Sequence, residues 1–287
     1  MPKIIMLRGL PASGKSTWAK EKLKSGGDFV RVSRDDLRPM LHYKWNQKNE
    51  SLTVEAEKSI VLSAIKNNKN VIIDDTNLGQ SHLDMWKNIA KEHGASYDIQ
   101  EFNVDYRECI MRKRERDKYL PEQVIIEMAL QYHLMEIKQP IVIVDLDGTV
   151  ADLSHRLHYI QNDDPKDNDY RAFYGSVLQD KPIHDTIEMV QKFHDDGYNI
   201  CFVSGRSDES RNDTKLWIQE HLRVPYIALI MRSAGDRRPD TDVKRGFYKR
   251  FFKDYEVKHV IDDRPSVIRM WREEGLDVID VGNGVDF

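Results

Sequence analysis

The run Gly9-Leu10-Pro11-Ala12-Ser13-Gly14-Lys15-Ser16-Thr17 has the form G-x-x-x-x-G-K-[ST], the pattern of a loop that cradles phosphates with its backbone N–H groups. Ile4-Ile5-Met6-Leu7 before it is a short apolar run suited to a buried strand, and Ser16 to Leu23 can continue as a helix. In that strand-loop-helix frame the N–H groups of the loop and helix start point at the phosphates of ATP or another nucleoside triphosphate. The binding residues are then Gly9, Ala12, Ser13, Gly14, Lys15, Ser16 and Thr17. Lys15 is the mobile positive charge between the β and γ phosphates, and the Ser16 hydroxyl is a ligand for Mg2+.

Outward from the loop, Gly26-Gly27 breaks the helical pattern and Phe29 to Ser33 reads as a second strand, ending in Arg34-Asp35-Asp36-Leu37-Arg38. In an open α/β sheet, ligands bind beyond the carboxyl ends of the strands, so topology alone puts Asp35 near the phosphates; a helix N-cap is its plainer role. Ser51 to Asn68 carries apolar residues at helical spacing. Val71-Ile72-Ile73 then delivers Asp74 and Asp75, either of which can hold magnesium through water, and Thr76-Asn77 leads into a helix over Ser81 to His93. Tyr97 to Val104 is a further strand. Between Arg107 and Lys118, Arg112 and Arg116 lie four apart and share one helical face, which suits a lid over a triphosphate as well as a solvated surface. Pro121 opens a last helix, expected to run to about Lys138.

A new buried strand, Ile141 to Val144, follows Gln139-Pro140 and runs into Asp145-Leu146-Asp147-Gly148-Thr149. Two carboxylates two residues apart at a strand end fit a nucleophile and an acid-base pair working on phosphate with Mg2+ between them; the alternatives are a calcium loop or a plain Asp-rich turn. Ile200 to Val203 ends in Ser204-Gly205-Arg206, and His259 to Ile261 ends in Asp262-Asp263-Arg264, with Lys244 on a preceding predicted helix. Three strands thus each deliver polar groups at one sheet edge.

With 287 residues the chain is most simply two domains, each able to bury a core, and 40% hydrophobic with 32% charged residues is a soluble globular composition. Neither a signal-peptide core nor a bilayer-length apolar segment is visible, so a cytoplasmic protein with no membrane partner is expected. Cys109 and Cys201 are too few for a zinc site or disulfide framework. Net charge is −4, but residues 1–138 hold 23 Lys+Arg against 20 Asp+Glu, and residues 139–287 hold 21 against 28. Such a chain does not wrap nucleic acid, whose affinity comes from many Lys/Arg–phosphate contacts, but it can grip a few phosphates at an end.

These motifs carry a resemblance. The second half resembles the haloacid-dehalogenase-type phosphatases, with Asp145-x-Asp147-Gly148-Thr149, Ser204, Lys244 and Asp262-Asp263 as their four motifs. The first half, with the P-loop, Arg34-Asp35-Asp36-x-Arg38 and Asp75-Thr76-Asn77, is similar to 5'-hydroxyl polynucleotide kinase domains. In this order nearly the whole chain resembles the bacteriophage polynucleotide kinase-phosphatases that heal broken RNA ends. The resemblance implies an α/β fold of two domains. Residues 1–138 are a P-loop kinase with a parallel sheet flanked by helices, and residues 139–287 are a haloacid-dehalogenase-like Rossmannoid 3'-phosphatase with a small cap. It further implies phosphate transfer from ATP to a 5'-OH end, and removal of a 3'-phosphate or 2',3'-cyclic phosphate through an aspartyl-phosphate, with Mg2+ in both sites. By the same resemblance Asp35 is the general base and Arg38 a contact to the 3'-phosphate of the terminal nucleotide. Asp75, Thr76 and Asn77 bind substrate, and Arg112 and Arg116, chiefly Arg116, act from the lid. Asp145 is the nucleophile and Asp147 the acid-base group. Ser204, Gly205, Arg206, Arg156, Asp240 and Lys244 line the substrate, and Asp145, Asp147, Asp262 and Asp263 surround the metal. Implied partners are single-stranded or nicked RNA or DNA ends and a ligase acting downstream, in the host cytosol for a phage-encoded protein; homo-oligomerisation is left open. Ala12 stands where the family often has Gly, and residues 137–140 make a shorter linker than is usual there. A small-metabolite kinase fused to a sugar-phosphate or nucleotide phosphatase is the rival reading; Arg34-Asp35-Asp36-x-Arg38 argues against it, because the extra arginine has a use when the substrate continues as a polynucleotide.

Overall fold

The computed structural model describes the chain except residues 27, 43–46, 117–119, 163 and 285–287 and the side chains of residues 47, 48, 116 and 165. It divides into two compact units, Met1–Met135 and Glu136–Phe287. The first is built as β1 (Lys3–Gly9), α1 (Lys15–Lys24), β2 (Phe29–Val32), α2 (Arg34–Leu41), α3 (Gln47–Lys66), β3 (Asn70–Ile73), α4 (Gln80–Glu92), β4 (Ser96–Phe102), α5 (Tyr106–Arg116) and α6 (Glu122–Gln131). Its sheet is parallel in the order β2-β3-β1-β4. Because side chains alternate along a strand, Ile4 and Met6 of β1 pack with α3 and α4 through Val61, Ile65, Leu83 and Trp86. Ile5 and Leu7 face Ala19 and Trp18 of α1. Both faces are covered, which is why β1 and β3 read as unbroken apolar runs.

The second unit comprises β5 (Ile141–Val144), β6 (Ala151–Asp152), α7 (Tyr170–Gly175), β7 (Lys181–Pro182), α8 (His184–Asp195), β8 (Asn199–Ser207), α9 (Arg211–His221), β9 (Ala228–Arg232), α10 (Asp240–Phe247), β10 (Val257–Asp262), α11 (Pro265–Glu273) and β11 (Val278–Asp280). Five strands form a parallel sheet, β11-β10-β5-β8-β9. Val142, Val144, Ile200 and Phe202 pack on one face with Ile187 and Val190 of α8 and Trp217 and Ile218 of α9. On the other side α10 packs against β8 and α11, and α11 against β10. The antiparallel pair β6-β7 brackets a small cap that carries α7. Both units are therefore α/β with helices on both faces of a parallel sheet, the expected class.

Two local expectations change. The helix opened by Pro121 stops at Gln131 rather than Lys138, because His133 adopts a left-handed backbone (φ 54°) and Leu134 N–H returns to Ala129 O at 2.8 Å, closing the helix end. Asp35 is no N-cap: it lies inside the first turn of α2, after Ser33.

Candidate active sites

In the first unit the polar groups gather at the carboxyl ends of β1, β2 and β3. The P-loop leaves β1, with Gly14 left-handed at the start of α1 (φ 104°). Ala12 sits at φ 61°, a conformation that costs a residue with a Cβ roughly 1–2 kcal/mol. A glycine there avoids that cost, which gives physical sense to the glycine usual at this place. Lys15 Nζ donates to Gly9 O (2.9 Å) and Leu10 O (2.6 Å), holding the buried ammonium against the loop. Burial lowers its pKa to about 8, with Asp74, Asp35 and Asp75 among the negative charges that oppose the drop. Ser16 and Thr17 are exposed at the helix start, and Ser16 Oγ donates to Asp74 Oδ1 at 3.2 Å. Asp74 also takes Arg31 at 2.7 Å. A hydroxyl and a carboxylate side by side below the loop are hard oxygen donors of the type Mg2+ accepts.

Asp35 projects from α2 and is paired with Arg38 Nη1 at 2.5 Å. Arg38 is also gripped by both carboxylate oxygens of Glu50, at 2.8 and 3.0 Å. Engagement of a phosphate by Arg38 thus requires exchange of carboxylate bonds, and Glu50 is a partner that no sequence motif signalled. Asp75 accepts Arg34 N–H at 3.0 Å, and Arg34 Nε reaches the fully buried Glu57 at 2.6 Å. One expected substrate contact, Asn77, turns inward. Asn77 is buried and its amide donates to Leu7 O (2.8 Å), while Thr76 O accepts Gly9 N–H (3.0 Å), so these groups brace the turn after β3 against β1. From α5, Arg112 Nη1 reaches Ser13 O at 3.3 Å and Nη2 pairs with Glu108, putting this guanidinium over the P-loop. Arg116, the arginine favoured from sequence, has its side chain outside the described residues.

In the second unit the carboxyl ends of β5, β8 and β10 meet. Lys244 of α10 is buried among carboxylates, with Nζ at 2.8 Å from Asp145 Oδ1, 2.9 Å from Asp262 Oδ2 and 3.5 Å from Asp240 Oδ2. Burial opposes its charge, but Asp145, Asp262 and Asp240 outweigh that and raise its pKa well above the usual value. For Asp145, burial comes first and drives its pKa well up; Lys244 opposes this, and Asp262 and Asp263 add to it. Asp263, hydrogen-bonded by Thr149 Oγ1 at 3.0 Å, is pushed up to about 6 by burial and by Asp262. Asp145, Asp262 and Asp263 each bring an oxygen within 4.8 Å of the others', a donor set that fits a divalent cation. Glycine is required at two points around them. A Cβ on Gly148, which has φ 78°, would stand 2.0 Å from Asp263 Oδ2, and one on Gly205 would stand 2.3 Å from Asp240 Oδ1.

Asp147 departs from expectation. Its carboxylate is outside the three-carboxylate cluster and is held by Arg156 Nη2 and by Arg206 at 2.6 and 2.9 Å. Burial alone would raise its pKa, but the two arginines overcome it and hold the group down at about 2. In this arrangement the two arginines keep its side chain ionised, and it stands apart from the three carboxylates grouped at Lys244. Behind it lies a residue the sequence did not flag. Asp180, at the end of the cap and fully buried, binds Arg156 at 2.7 and 2.8 Å, Arg206 at 2.7 Å and His155 at 2.9 Å. Arg206 is aimed inward by a bulge, since the β8–β9 register shifts between Ser204 and Ser207. Ser204 is buried, its oxygen accepting Arg206 N–H at 3.2 Å. Asp240 is tied to Arg232 at 3.1 Å and, with Lys244, closes the far side.

Residues 139–287, more than half of the chain, match the family described as the polynucleotide kinase PNKP phosphatase domain. The chain belongs to this family. Residues 4–135, ahead of its phosphatase domain, match a family described as an AAA domain. A relative from Autographa californica nuclear polyhedrosis virus, named a bifunctional polynucleotide kinase/RNA ligase, is 30% identical over 94% of this chain and 41% of its own length. A bifunctional polynucleotide phosphatase/kinase of Schizosaccharomyces pombe is 34% identical over 31% of this chain and 18% of its own. The chain therefore spans less than half the length of either relative. Among solved structures, one titled "Structure of the Pnkp1/Rnl/Hen1 RNA repair complex" aligns with TM-score 0.43 and 27% identity, over 99% of this chain and 96% of the chain compared. Among the described residues, no helix is long and apolar enough to cross a membrane.

Proposed function

We propose that the protein heals nucleic-acid ends, with residues 1–138 phosphorylating a 5'-hydroxyl from ATP and residues 139–287 removing a 3'-phosphate or 2',3'-cyclic phosphate. The observation that carries this reading is the buried Asp145–Lys244–Asp262–Asp263 cluster facing the arginine-held Asp147, within a domain of the polynucleotide kinase phosphatase family. Asp145 attacks phosphorus as nucleophile, forming an aspartyl-phosphate as the 3' oxygen leaves. Lys244 keeps Asp145 oriented and offsets the charge of its neighbours. Mg2+, held by Asp145, Asp262 and Asp263, would supply charge neutralisation at the phosphate. Ionised Asp147 takes a proton from the water that opens the aspartyl-phosphate. Protonation of the leaving oxygen by Asp147 in the first step requires that Asp147 first take up a proton from solvent, which Arg156 or Arg206 permits by transferring its bonds to the substrate phosphate, so the same guanidiniums serve as its clamp.

In the first unit Asp35 accepts the proton of the 5'-hydroxyl, whose oxygen attacks the γ-phosphorus while ADP leaves. Lys15 exchanges loop carbonyls for phosphate oxygens, Arg112 covers the loop, and Ser16 with Asp74 would hold Mg2+. A repaired 5'-phosphate beside a 3'-hydroxyl is what a ligase joins, so an RNA or DNA ligase is the partner that follows. A reducing cytosol suits Cys109 and Cys201, both free and buried.

Incubation of purified protein with ATP, Mg2+ and oligonucleotides bearing 5'-OH or 3'-phosphate ends tests this, with gluconate, shikimate and nucleosides as controls. Transfer to the small molecules alone would sink it. Arg38→Ala is expected to lower kcat/KM about 10- to 100-fold more on oligonucleotides and nucleoside 3'-phosphates than on nucleosides, because only the former offer a phosphate for a charge-assisted bond. Equal losses on both would assign Arg38 to holding Glu50 and α3 in place.

A further inference from the structure

Resting on the reading that the second unit acts on a polynucleotide 3' end, we propose that Tyr170 and Tyr174 of α7 form a stacking platform for the base of the terminal nucleotide. The helix that carries them is tied to the reacting groups. Phe173 is buried, with the Arg156 guanidinium 4.2 Å from its ring centroid, and its carbonyl accepts Arg156 Nη1 at 3.5 Å. Arg156 in turn grips Asp147, so α7 stands one side chain away from the acid-base carboxylate.

Tyr174 packs edge-on against Phe173, with ring centroids 5.2 Å apart at 70°. Burial first, and then the negative charges of Asp147 and Asp240, push its pKa up to about 12 against the opposing Arg232, so it remains a neutral phenol beside the catalytic carboxylate. One turn earlier, Tyr170 stacks on Tyr174 with centroids 6.3 Å apart and planes at 29°, yet it is 53% exposed. The two rings thus lead from the site of phosphate chemistry to solvent.

A six-residue helix has little core of its own to contribute, and a half-exposed tyrosine at its outer end adds little to stability. A nucleotide whose phosphate lies between Arg156 and Asp145 carries its base only a sugar's width away. Every base has a π-face, so such a platform holds an end without reading its sequence, as an end-healing enzyme requires. A small sugar phosphate offers nothing for it to stack.

The test compares kcat/KM of the two-unit chain on two oligonucleotide 3'-phosphates, one with a terminal base and one abasic at that nucleotide. Wild type is expected to favour the base-bearing end. Tyr170→Ala should reduce that preference by about 5- to 100-fold, mainly through KM, and Tyr170→Phe should keep it, with thermal melts reporting folding. An undiminished preference in Tyr170→Ala, or its equal loss in Tyr170→Phe, would overturn the platform while leaving the phosphatase reading intact. Wild-type protein inert on both oligonucleotides, yet active on a sugar phosphate, would overturn both.

Discussion

Asp145→Asn is expected to lower 3'-phosphatase activity by at least about 10³-fold while 5'-kinase activity stays within about twofold. The amide occupies the same volume at the end of β5 but lacks the charge that attacks phosphorus, and it binds a divalent cation weakly. The fold should tolerate the change. Lys244 retains Asp262 at 2.9 Å and Asp240 at 3.5 Å, and one of several mutually repelling buried carboxylates is removed. Lys15→Ala is the converse, removing from the P-loop the ammonium that neutralises the transferred phosphoryl group while leaving every contact of the second unit in place. The measurement is both activities on one oligonucleotide with a 5'-OH and a 3'-phosphate, together with melting curves. Loss of kinase activity in Asp145→Asn at unchanged melting temperature would mean that the two activities share residues, against the proposed division at 138/139.

Asp180→Ala should destabilise the second unit by about 3–5 kcal/mol. Arg156 and Arg206 are both fully buried, and Asp180 binds both of them. With it gone, Asp147 alone faces two guanidiniums, leaving one positive charge buried and uncompensated. The expected fall in melting temperature is on the order of 10 °C. Phosphatase activity should fall further than the folded fraction does, since Asp180 fixes the two arginines that set the position of Asp147. A melting temperature within about 2 °C of wild type would show that solvent or a neighbouring group compensates the arginines, and that the network is less closed than its geometry indicates.

How much of this was legible in the sequence follows from the range of the signals. Chemistry that depends on neighbours in sequence was readable: the P-loop needs its glycines and Lys15 at set intervals, and Asp145 and Asp147 need the end of an apolar strand. Both parallel sheets were readable too, because strands buried on both faces must be continuously apolar, as Ile4 to Leu7 and Ile141 to Val144 are. Partners distant in sequence were not. Glu50 grips Arg38 from another helix, and Asp180 reaches Arg156 and Arg206 from the end of the cap; neither lies in a motif, since a lone Asp or Glu has no periodicity to mark it. The turning inward of Asn77 and the pinning of Asp147 were likewise decided by tertiary structure. A side chain's protonation and direction depend on which charges the fold packs against it, and at Asp147 two arginines outweigh the cost of burial and keep ionised a group whose protonation spacing alone left open.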